Sequence, residues 1–117
     1  MAGLAVASGA AAVTYALQNI VLNGDHIVAA DNLYGGSFNL ITHTLANQGV
    51  TNTIVNVNDL DALEAAIQPN TKAVYAETFG NPNADVTNIE AVAEVAHRHN
   101  IPLIIDNTFG TPYLIRP

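Results

Sequence analysis

The sequence predicts an α/β fold, a three-layer sandwich in which helices alternate with the strands of a parallel sheet. Helical and extended patterns alternate four times along the 117 residues. The predicted strands are almost continuously apolar, which is typical of a parallel sheet with both faces covered. Polar and small residues follow these strands directly, at the edge where such sheets bind ligands. No repeat or linker interrupts the pattern, so we interpret residues 1–117 as a single unit.

Two helices and the strand between them are predicted in the first part of the chain. The alanine-rich stretch from about Gly9 to Leu22 favours a helix, and Asn23-Gly24 is a typical signal for its end. The stretch HIVAAD (26–31) predicts a short strand. In SFNLITHTLANQG (37–49) the apolar residues recur at helical spacing. They predict one buried stripe that comprises Phe38, Ile41 and Leu45.

A strand, a helix and a second strand are predicted next. The stretch TIVNV (53–57) predicts the first of these strands. Asn58-Asp59 can cap a helix, and the apolar positions that follow have helical spacing. These apolar positions are Leu60, Leu63 and Ile67. The stretch KAVYAE (72–77) then predicts the second strand.

The last helix and the last strand complete the alternation. In TNIEAVAEVAHRHN, Thr87 and Glu90 lie three residues apart, which is the spacing of a capping box at the start of a helix. The apolar face of this helix comprises Ile89, Val92, Ala93 and Ala96. The stretch PLIID (102–106) predicts a final strand, and its aspartate lies where the strand ends.

The composition excludes several classes of function. Ten acidic residues stand against three basic ones, and the net charge of −7 is the opposite of what binds nucleic acids or anionic membranes. The chain has no cysteine, so thiolate catalysis and cysteine-ligated metals are excluded. The apolar N-terminal stretch lacks a basic region and is interrupted by Ser8, Gly9 and Thr14, unlike a signal peptide or membrane span. We therefore expect a soluble protein of the cytoplasm.

The stretch ASGAAAV places Ser8 and Gly9 directly before a predicted helix. The N-terminus of a helix offers free N–H groups and a partial positive charge, so it can bind a phosphate without lysine or arginine. The alternative is an ordinary serine N-cap with a small-residue packing face. In a chain with three basic residues, this helix start is the simplest candidate for an anion site.

The stretch LYGGS sets an aromatic residue beside two glycines. Tyr34 can stack on a planar ligand, and Gly35 and Gly36 allow the ligand to approach closely. The alternative is a turn with a core tyrosine. Neither GxGxxG nor GK[ST] occurs in the chain, so the usual nucleotide-binding fingerprints are absent.

Polar residues also follow two later strands. Glu77 and Asn81 lie in AETFGNPN, where Asn81-Pro82 marks a turn. Asp106 ends the strand in IPLIIDNTFGTPYLIRP. An aspartate in this place can hold the protonated nitrogen of a pyridine ring, which pyridoxal phosphate needs to act as an electron sink. The alternative is an Asx-turn in which Asp106 only closes the strand.

In combination, these stretches resemble the Cys/Met metabolism family of PLP-dependent enzymes. The resemblance is carried, in chain order, by LAVASGAAAVTYAL, VAADNLYGGSFNL and TKAVYAETFGNPNADVTNIEAVAEVAHRHNIPLIIDNTFGTPYLIRP. AETFGNPN and DNTFGTPYL are most similar to the O-acetylhomoserine sulfhydrylase branch. The resemblance implies part of the large domain of the PLP-dependent transferase fold, with pyridoxal 5'-phosphate (PLP) as cofactor.

The resemblance also implies roles for individual residues. Gly9 and Ala10 would bind the cofactor phosphate through their backbone N–H groups. Tyr34 would stack on the pyridine ring, and Asp106 would pair with the ring nitrogen. Thr108 would lie under or beside the ring.

Two further residues and a reaction are implied in the same way. Asn81 would contact the 3-hydroxyl region of the cofactor, and Glu77 would support the site. The implied reaction converts O-acetylhomoserine with sulfide or methanethiol to homocysteine or methionine. The cystathionine γ-synthase and methionine γ-lyase branches share these motifs and stay open as alternatives. A PLP- or phosphate-binding module without catalysis and a purely structural fragment are further alternatives.

The lysine that would form the Schiff base with the cofactor is not in this chain. In the family it follows the DNTF…PYL segment in a stretch rich in serine and threonine, beyond Pro117. The single lysine, Lys72, precedes its strand and is expected at the wrong edge of the sheet. We therefore expect an internal fragment of the large domain that has no catalytic residue of its own and is inactive alone. The complete enzyme is expected to be a homo-oligomer, a dimer or tetramer, with an amino-acid substrate.

Overall fold

A parallel sheet of four strands lies at the centre of the molecule. The computed structural model describes residues 3–117. Its strands are β1 (His26–Ala30), β2 (Thr51–Val55), β3 (Thr71–Glu77) and β4 (Leu103–Asp106). They lie side by side in the order β2-β1-β3-β4, and each neighbouring pair is parallel. The central strands β1 and β3 are buried except at Lys72, whereas the edge strands are only partly buried.

Helices precede and connect the strands. They are α1 (Gly9–Gln18), α2 (Gly35–Asn39), α3 (Leu60–Ala66), α4 (Ile89–Arg98) and α5 (Thr111–Leu114). After α2 the chain continues through a π-helical segment (Leu40–Leu45) and a 3-10 turn (Ala46–Gln48). Helix α1 contacts α2, and α3 contacts α4. Because crossovers between parallel strands are right-handed, the two helix pairs cover opposite faces of the sheet. The predicted three-layer α/β fold is confirmed.

Side-chain caps begin α1 and α3. Ser8 Oγ accepts a hydrogen bond from the N–H of Ala11 at 3.1 Å. Asp59 Oδ1 accepts one from the N–H of Ala62, also at 3.1 Å. Each cap satisfies an N–H group that the first turn of a helix leaves without an intrahelical partner. Both caps are at positions that the sequence predicted.

Helix α1 is shorter than the sequence predicted, because it ends at Gln18 rather than near Leu22. The N–H of Val21 still donates to the carbonyl oxygen of Leu17 at 3.1 Å. The N–H of Leu22 donates instead to Asp25 Oδ2 at 2.8 Å. Asp25 thus supplies an acceptor outside the helix, and a side-chain acceptor of this kind competes with helical hydrogen bonding.

The capping box predicted at the start of α4 is wrong. Thr87 is buried, and its Oγ1 donates to the carbonyl oxygen of Glu77 at 2.6 Å. Asn88 caps the helix instead, with its Oδ1 accepting a hydrogen bond from the N–H of Ala91 at 3.3 Å. The carbonyl at the end of β3 needs a partner inside the fold, and it takes the hydroxyl that the local pattern assigned to the helix.

Two residues predicted on buried helical stripes lie at the surface. Phe38 and Leu60 are each 38% exposed, whereas Ile41, Leu45 and Leu63 on the same stripes are buried. Phe38 precedes the π-helical segment, whose wider turn changes the angular position of the residues relative to a regular α-helix. Regular helical spacing therefore fails to place Phe38 correctly.

No helix between residues 3 and 117 is both long and apolar enough to cross a membrane. Over the same residues, no group of three His, Asp or Glu side chains is placed to hold a metal ion.

His26 is buried at the start of β1 between two threonine hydroxyls. Its Nδ1 lies 2.8 Å from Thr71 Oγ1, and its Nε2 lies 2.9 Å from Thr53 Oγ1. Burial lowers the pKa of His26, because it disfavours the charged imidazolium. The unfolded chain therefore takes up a proton at a higher pH than the folded chain does. The contribution of His26 to stability is complete above the unfolded pKa of about 6.5 and is lost as the pH falls through the folded pKa.

We expect the free energy of unfolding to decrease as the pH falls below about 6.5, with His26 responsible for part of the decrease. Replacing His26 with glutamine should make this dependence shallower, since glutamine does not titrate. Urea titrations at a series of pH values measure the effect. His97→Gln is the matched control, because His97 is exposed on α4, and it should keep the wild-type slope. Equal slopes for His26→Gln and the wild type would contradict the assignment.

Candidate functional site

The strand order creates a switch point between β1 and β3. From β1 the chain moves outward to β2, and it then returns past β1 to β3. In open α/β sheets, ligands bind beyond the carboxyl ends of the strands at such a point. A cavity of about 320 Å³ opens there. Its lining includes the seven residues to which the family resemblance assigned a role: Gly9, Ala10, Tyr34, Glu77, Asn81, Asp106 and Thr108.

The first turn of α1 offers backbone N–H groups to the cavity. Gly9 and Ala10 begin the helix, and their N–H groups make no hydrogen bond within residues 3–117. The next two N–H groups, of Ala11 and Ala12, bond to the hydroxyl and the carbonyl oxygen of Ser8. Ser8 therefore acts as the N-cap, while two N–H groups at the positive end of the helix stay available to an anion.

Tyr34 lies at the start of α2 and lines the cavity with an exposed side chain. Gly36 lies against its ring, because a Cβ at this glycine would be 2.7 Å from Tyr34 Cε1. A side chain at position 36 would therefore displace the ring. The exposure of Tyr34 excludes the core tyrosine that the sequence left open, and its ring is accessible for stacking on a planar ligand.

Glu77 ends β3 and is only 5% exposed. Its Oε1 accepts a hydrogen bond from the backbone N–H of Tyr34 at 2.8 Å, which ties β3 to the start of α2. Burial raises the pKa of Glu77, the hydrogen bond from Tyr34 lowers it, and the negative charge of Asp106 raises it further. Glu77 thus fixes the backbone from which the Tyr34 ring extends.

Asp106 ends β4, and one of its carboxylate oxygens holds the following turn. Its Oδ1 accepts hydrogen bonds from the N–H of Thr108 at 2.9 Å and from the Thr108 hydroxyl. This contact is the Asx-turn that the sequence allowed. The other oxygen, Oδ2, makes no hydrogen bond within the described residues, and Asp106 lines the cavity. The same side chain can therefore close the strand and bind a ligand.

Asn81 lies on the turn that follows β3. Its N–H donates to the carbonyl oxygen of Asn32 at 2.8 Å, which joins this turn to the one after β1. Gly80 makes the close approach possible, because a Cβ there would lie 2.1 Å from Asn32 Nδ2. The Asn81 side chain has no hydrogen bond within residues 3–117, so its amide is available to a ligand in the cavity.

Sequence reasoning missed several residues that line the cavity: Val13, Thr14, Ser37, Leu40, Phe79 and Phe109. Helical spacing could have found Thr14, which lies one turn into α1. Phe79 and Phe109 adjoin predicted residues in the chain. No local sequence pattern indicates Ser37. Its place in the site is visible only in the fold, where Ser37 is buried and its Oγ accepts a hydrogen bond from Tyr75 Oη at 3.3 Å.

The charges of the cavity restrict what it can bind. Among the residues that line it, Glu77 and Asp106 carry carboxylates, and none carries a basic side chain. A cationic group is therefore favoured beside Asp106, and an anionic group is favoured at the N-terminus of α1.

Lys72 lies away from the cavity, as the sequence predicted. It is the second residue of β3, and its Nζ lies 3.8 Å from Asp25 Oδ1. It lies five positions before Glu77 on the same extended strand, a distance of about 16 Å. Lys72 is therefore at the opposite edge of the sheet.

These groups fit pyridoxal phosphate part by part. The free N–H groups of Gly9 and Ala10 match its phosphate, and the accessible ring of Tyr34 matches its pyridine ring. The available oxygen of Asp106 matches a protonated ring nitrogen, and the Asn81 amide matches the 3-hydroxyl group.

Two curated proteins are similar to the chain over almost all of its length. It is 52% identical over 115 residues to O-acetyl-L-homoserine sulfhydrylase of Corynebacterium glutamicum, covering 97% of this chain and 26% of that protein. It is 45% identical over 117 residues to L-methionine gamma-lyase of Porphyromonas gingivalis, covering 99% of this chain and 29% of that protein. The chain therefore spans less than a third of the length of either relative.

A solved structure has the same fold. A protein from Campylobacter jejuni subsp. jejuni, described as an O-acetylhomoserine (thiol)-lyase, superposes with a TM-score of 0.89 at 42% sequence identity. The match covers 92% of this chain and 27% of that one, and that structure contains N'-pyridoxyl-lysine-5'-monophosphate. The family profile described as Cys/Met metabolism PLP-dependent enzyme matches residues 1–117. The chain therefore belongs to the Cys/Met metabolism family of PLP-dependent enzymes.

Proposed function

We propose that the protein acts as an O-acetylhomoserine sulfhydrylase in methionine biosynthesis. In this transferase reaction the sulfur of sulfide or methanethiol forms a bond to the γ carbon of O-acetylhomoserine. The bond from that carbon to the acetate oxygen breaks, and the product is homocysteine or methionine. The observation that carries the choice of branch is the 52% identity to the sulfhydrylase of Corynebacterium glutamicum.

In this proposal, four residues bind and orient the cofactor. Gly9 and Ala10 donate their free N–H groups to the phosphate, which needs no basic side chain from this part of the chain. Tyr34 stacks on the ring, and Gly36 keeps the space that this ring position requires. Asp106 holds a proton on the ring nitrogen through its charge. Once bound, PLP supplies an electron sink for the bonds that break in the substrate.

Three further residues complete the proposed site. Asn81 contacts the 3-hydroxyl group of the cofactor with its side-chain amide. Thr108 lies beside the ring and donates its hydroxyl to Asp106 Oδ1, which orients the carboxylate. Glu77 supports the site by holding the backbone N–H of Tyr34.

The lysine that binds the cofactor covalently is proposed to lie outside this chain. Lys72 is at the opposite edge of the sheet, and the chain spans 26% to 29% of its two curated relatives. We propose that residues 1–117 form one unit of the large domain, without turnover alone. The complete enzyme is proposed to be a cytoplasmic homo-oligomer, a dimer or tetramer. The cysteine-free sequence is compatible with this location, since the fold needs no oxidising compartment.

A methionine γ-lyase activity is the second candidate. The supporting observation is the 45% identity over 117 residues to the lyase of Porphyromonas gingivalis. This reaction would consume methionine and water and release methanethiol, ammonia and 2-oxobutanoate. Both activities use the same cofactor site, so only the substrate distinguishes them.

The test uses the protein encoded by the complete gene, purified, freed of cofactor and titrated with PLP. Absorbance and fluorescence report binding. Product assays then compare O-acetylhomoserine plus sulfide with methionine alone. Homocysteine formation that depends on PLP supports the sulfhydrylase, and faster release of 2-oxobutanoate from methionine would establish the lyase instead. Saturable PLP binding without either product would support a non-catalytic binding module.

Replacing Lys72 with alanine should leave PLP binding and turnover within about twofold of the wild type. Lys72 lies at the amino end of β3 with a half-exposed side chain, and its long ion pair with Asp25, at 3.8 Å, contributes little to stability. The measurement is the PLP titration combined with steady-state kinetics. Loss of the covalently bound cofactor in Lys72→Ala would contradict the proposed placement of the site.

A further inference from the structure

Asn107 holds together the part of the cavity wall that contains Asp106, although Asn107 itself does not line this cavity. The cavity is lined here by Asp106, Thr108 and Phe109. Asn107 lies between them in the chain, but its amide makes its hydrogen bonds behind the wall, with Thr78 and with the segment that returns after α5. The orientation of the wall therefore depends on what the Asn107 amide contacts.

The Asn107 amide joins three separate segments of the chain. Its Oδ1 accepts a hydrogen bond from Thr78 Oγ1 at 2.7 Å, and Thr78 is completely buried next to the end of β3. Its Nδ2 donates to the carbonyl oxygen of Ile115 at 3.0 Å and to that of Thr111 at 3.3 Å. One side chain thus connects the central strand, the start of α5 and the segment after α5.

Backbone contacts make this connection rigid. The N–H of Thr78 donates to the carbonyl oxygen of Asp106 at 3.0 Å, and the N–H of Thr111 donates to that of Asn107 at 3.0 Å. Gly110 is buried against the amide, because a Cβ there would lie 2.0 Å from Asn107 Oδ1. The loop therefore packs closely against the amide, and position 110 has no room for a Cβ.

The contacts require the chemistry of asparagine. The oxygen must accept from Thr78, while the nitrogen must donate to two carbonyl groups. Aspartate has a similar shape but cannot donate when ionised, and it would add a charge next to Asp106. The carbonyl oxygen of Ile115, which lies in a part-buried contact, would lose its amide donor and face a carboxylate oxygen instead, so the loop would have to rearrange.

We propose that Asn107 is a positioning residue, which holds the loop from Asp106 to Phe109 so that the Asp106 carboxylate meets the ring nitrogen of the bound cofactor. This inference rests on the proposed function, because it requires PLP in the cavity. Asn107 acts through Asp106 and Thr108 and touches neither cofactor nor substrate.

Asn107→Asp and Thr78→Val test the proposal in the protein encoded by the complete gene. Thr78→Val removes one donor without adding a charge, and Thr78→Ser keeps the hydroxyl. We expect PLP to bind about tenfold more weakly to Asn107→Asp. The pH dependence of the visible absorbance of the bound cofactor should also shift, because Asp106 no longer holds the ring nitrogen correctly. Thr78→Val should show smaller shifts in the same directions, and Thr78→Ser should restore the wild-type values.

Hydrogen exchange of the cofactor-free protein is the second measurement. The backbone N–H groups of Thr111 and Leu114, which are hydrogen-bonded within the loop, should exchange about tenfold faster in Asn107→Asp. Asn47→Asp is the matched control, because Asn47 is exposed and its side chain has no hydrogen bond in the described part of the chain. It should change neither exchange nor binding.

The possible results separate the inference from the proposed function. A lower melting temperature for Asn107→Asp with an unchanged cofactor spectrum and affinity would overturn the positioning role. Unchanged exchange in both Asn107→Asp and Thr78→Val would overturn the connection itself. A wild-type protein that binds no PLP would instead contradict the proposed function, whereas the exchange result would still decide whether Asn107 holds the loop.

Discussion

Asp106→Asn is expected to lower kcat/KM for O-acetylhomoserine by about 10² to 10³-fold, the magnitude typical of losing one preorganised electrostatic contact in an active site. Asparagine keeps the shape of the side chain and can still accept from Thr108 through its oxygen. It removes the negative charge that favours a protonated ring nitrogen. The loss should therefore appear mainly in the chemical step, with PLP still bound. Steady-state kinetics and the absorbance of the bound cofactor measure the two effects separately.

The control for Asp106→Asn is the same substitution at an aspartate on the surface, away from the cavity. Asp61 is exposed in the first turn of α3, which packs on the opposite face of the sheet from α1 and α2. Asp61→Asn should keep wild-type kinetics, because a surface charge is screened over the distance to the cavity. If Asp106→Asn retained full activity at every pH, the carboxylate would not hold the ring nitrogen. The Asx-turn with Thr108 would then be its main role.

Glu77→Ala should weaken PLP binding by about tenfold and reduce the free energy of unfolding by about 2 kcal/mol. The substitution leaves the N–H of Tyr34 without its acceptor inside the fold and frees the backbone that carries the stacking ring. The PLP titration and urea denaturation measure the two effects. A PLP affinity unchanged in Glu77→Ala would show that the Tyr34 ring does not depend on this contact.

Glu77→Gln is the matched variant and should be much milder. Glutamine keeps an oxygen that can accept a hydrogen bond from the N–H of Tyr34. It removes the titrating carboxyl of Glu77, whose pKa is raised by burial. Because the pKa of Glu77 is higher in the folded chain than in the unfolded chain, the free energy of unfolding of the wild type decreases as the pH rises through the folded pKa. Glutamine does not titrate, so the free energy of unfolding of Glu77→Gln should depend less on pH in this range. If Glu77→Gln impaired binding as much as Glu77→Ala, the negative charge itself would be needed in the site.

Local patterns predicted the secondary structure well where one segment alone decides the outcome. The caps at Ser8 and Asp59 are examples, because each side chain bonds to an N–H group three residues away. The predictions failed where a residue from elsewhere competed. Thr87 illustrates this failure, since the carbonyl group of Glu77, ten residues away, takes its hydroxyl from the predicted capping box.

The sequence also indicated which residues to examine for the site, because polar and small residues follow three strands whose carboxyl ends share one edge of a parallel sheet. The family resemblance assigned roles to five of these residues and to Gly9 and Ala10 at the start of α1, and the fold brings all seven to one cavity. The roles of Ser37 and Asn107 could not be predicted in this way, although Asn107 directly follows β4. Their partners, Tyr75 and Thr78, lie 38 and 29 residues away, a separation at which no local pattern exists.

By itself, therefore, the sequence determined the α/β class, the family and the candidate residues, because these depend on apolar periodicity, caps and motifs that each lie within one segment. Only the tertiary structure decided the strand order β2-β1-β3-β4 and the switch point between β1 and β3. It also decided the contact of Glu77 with Tyr34 across 43 residues and the connection that Asn107 makes behind the cavity wall. The physical reason is that these features consist of hydrogen bonds and packing between segments that meet only after the chain has folded.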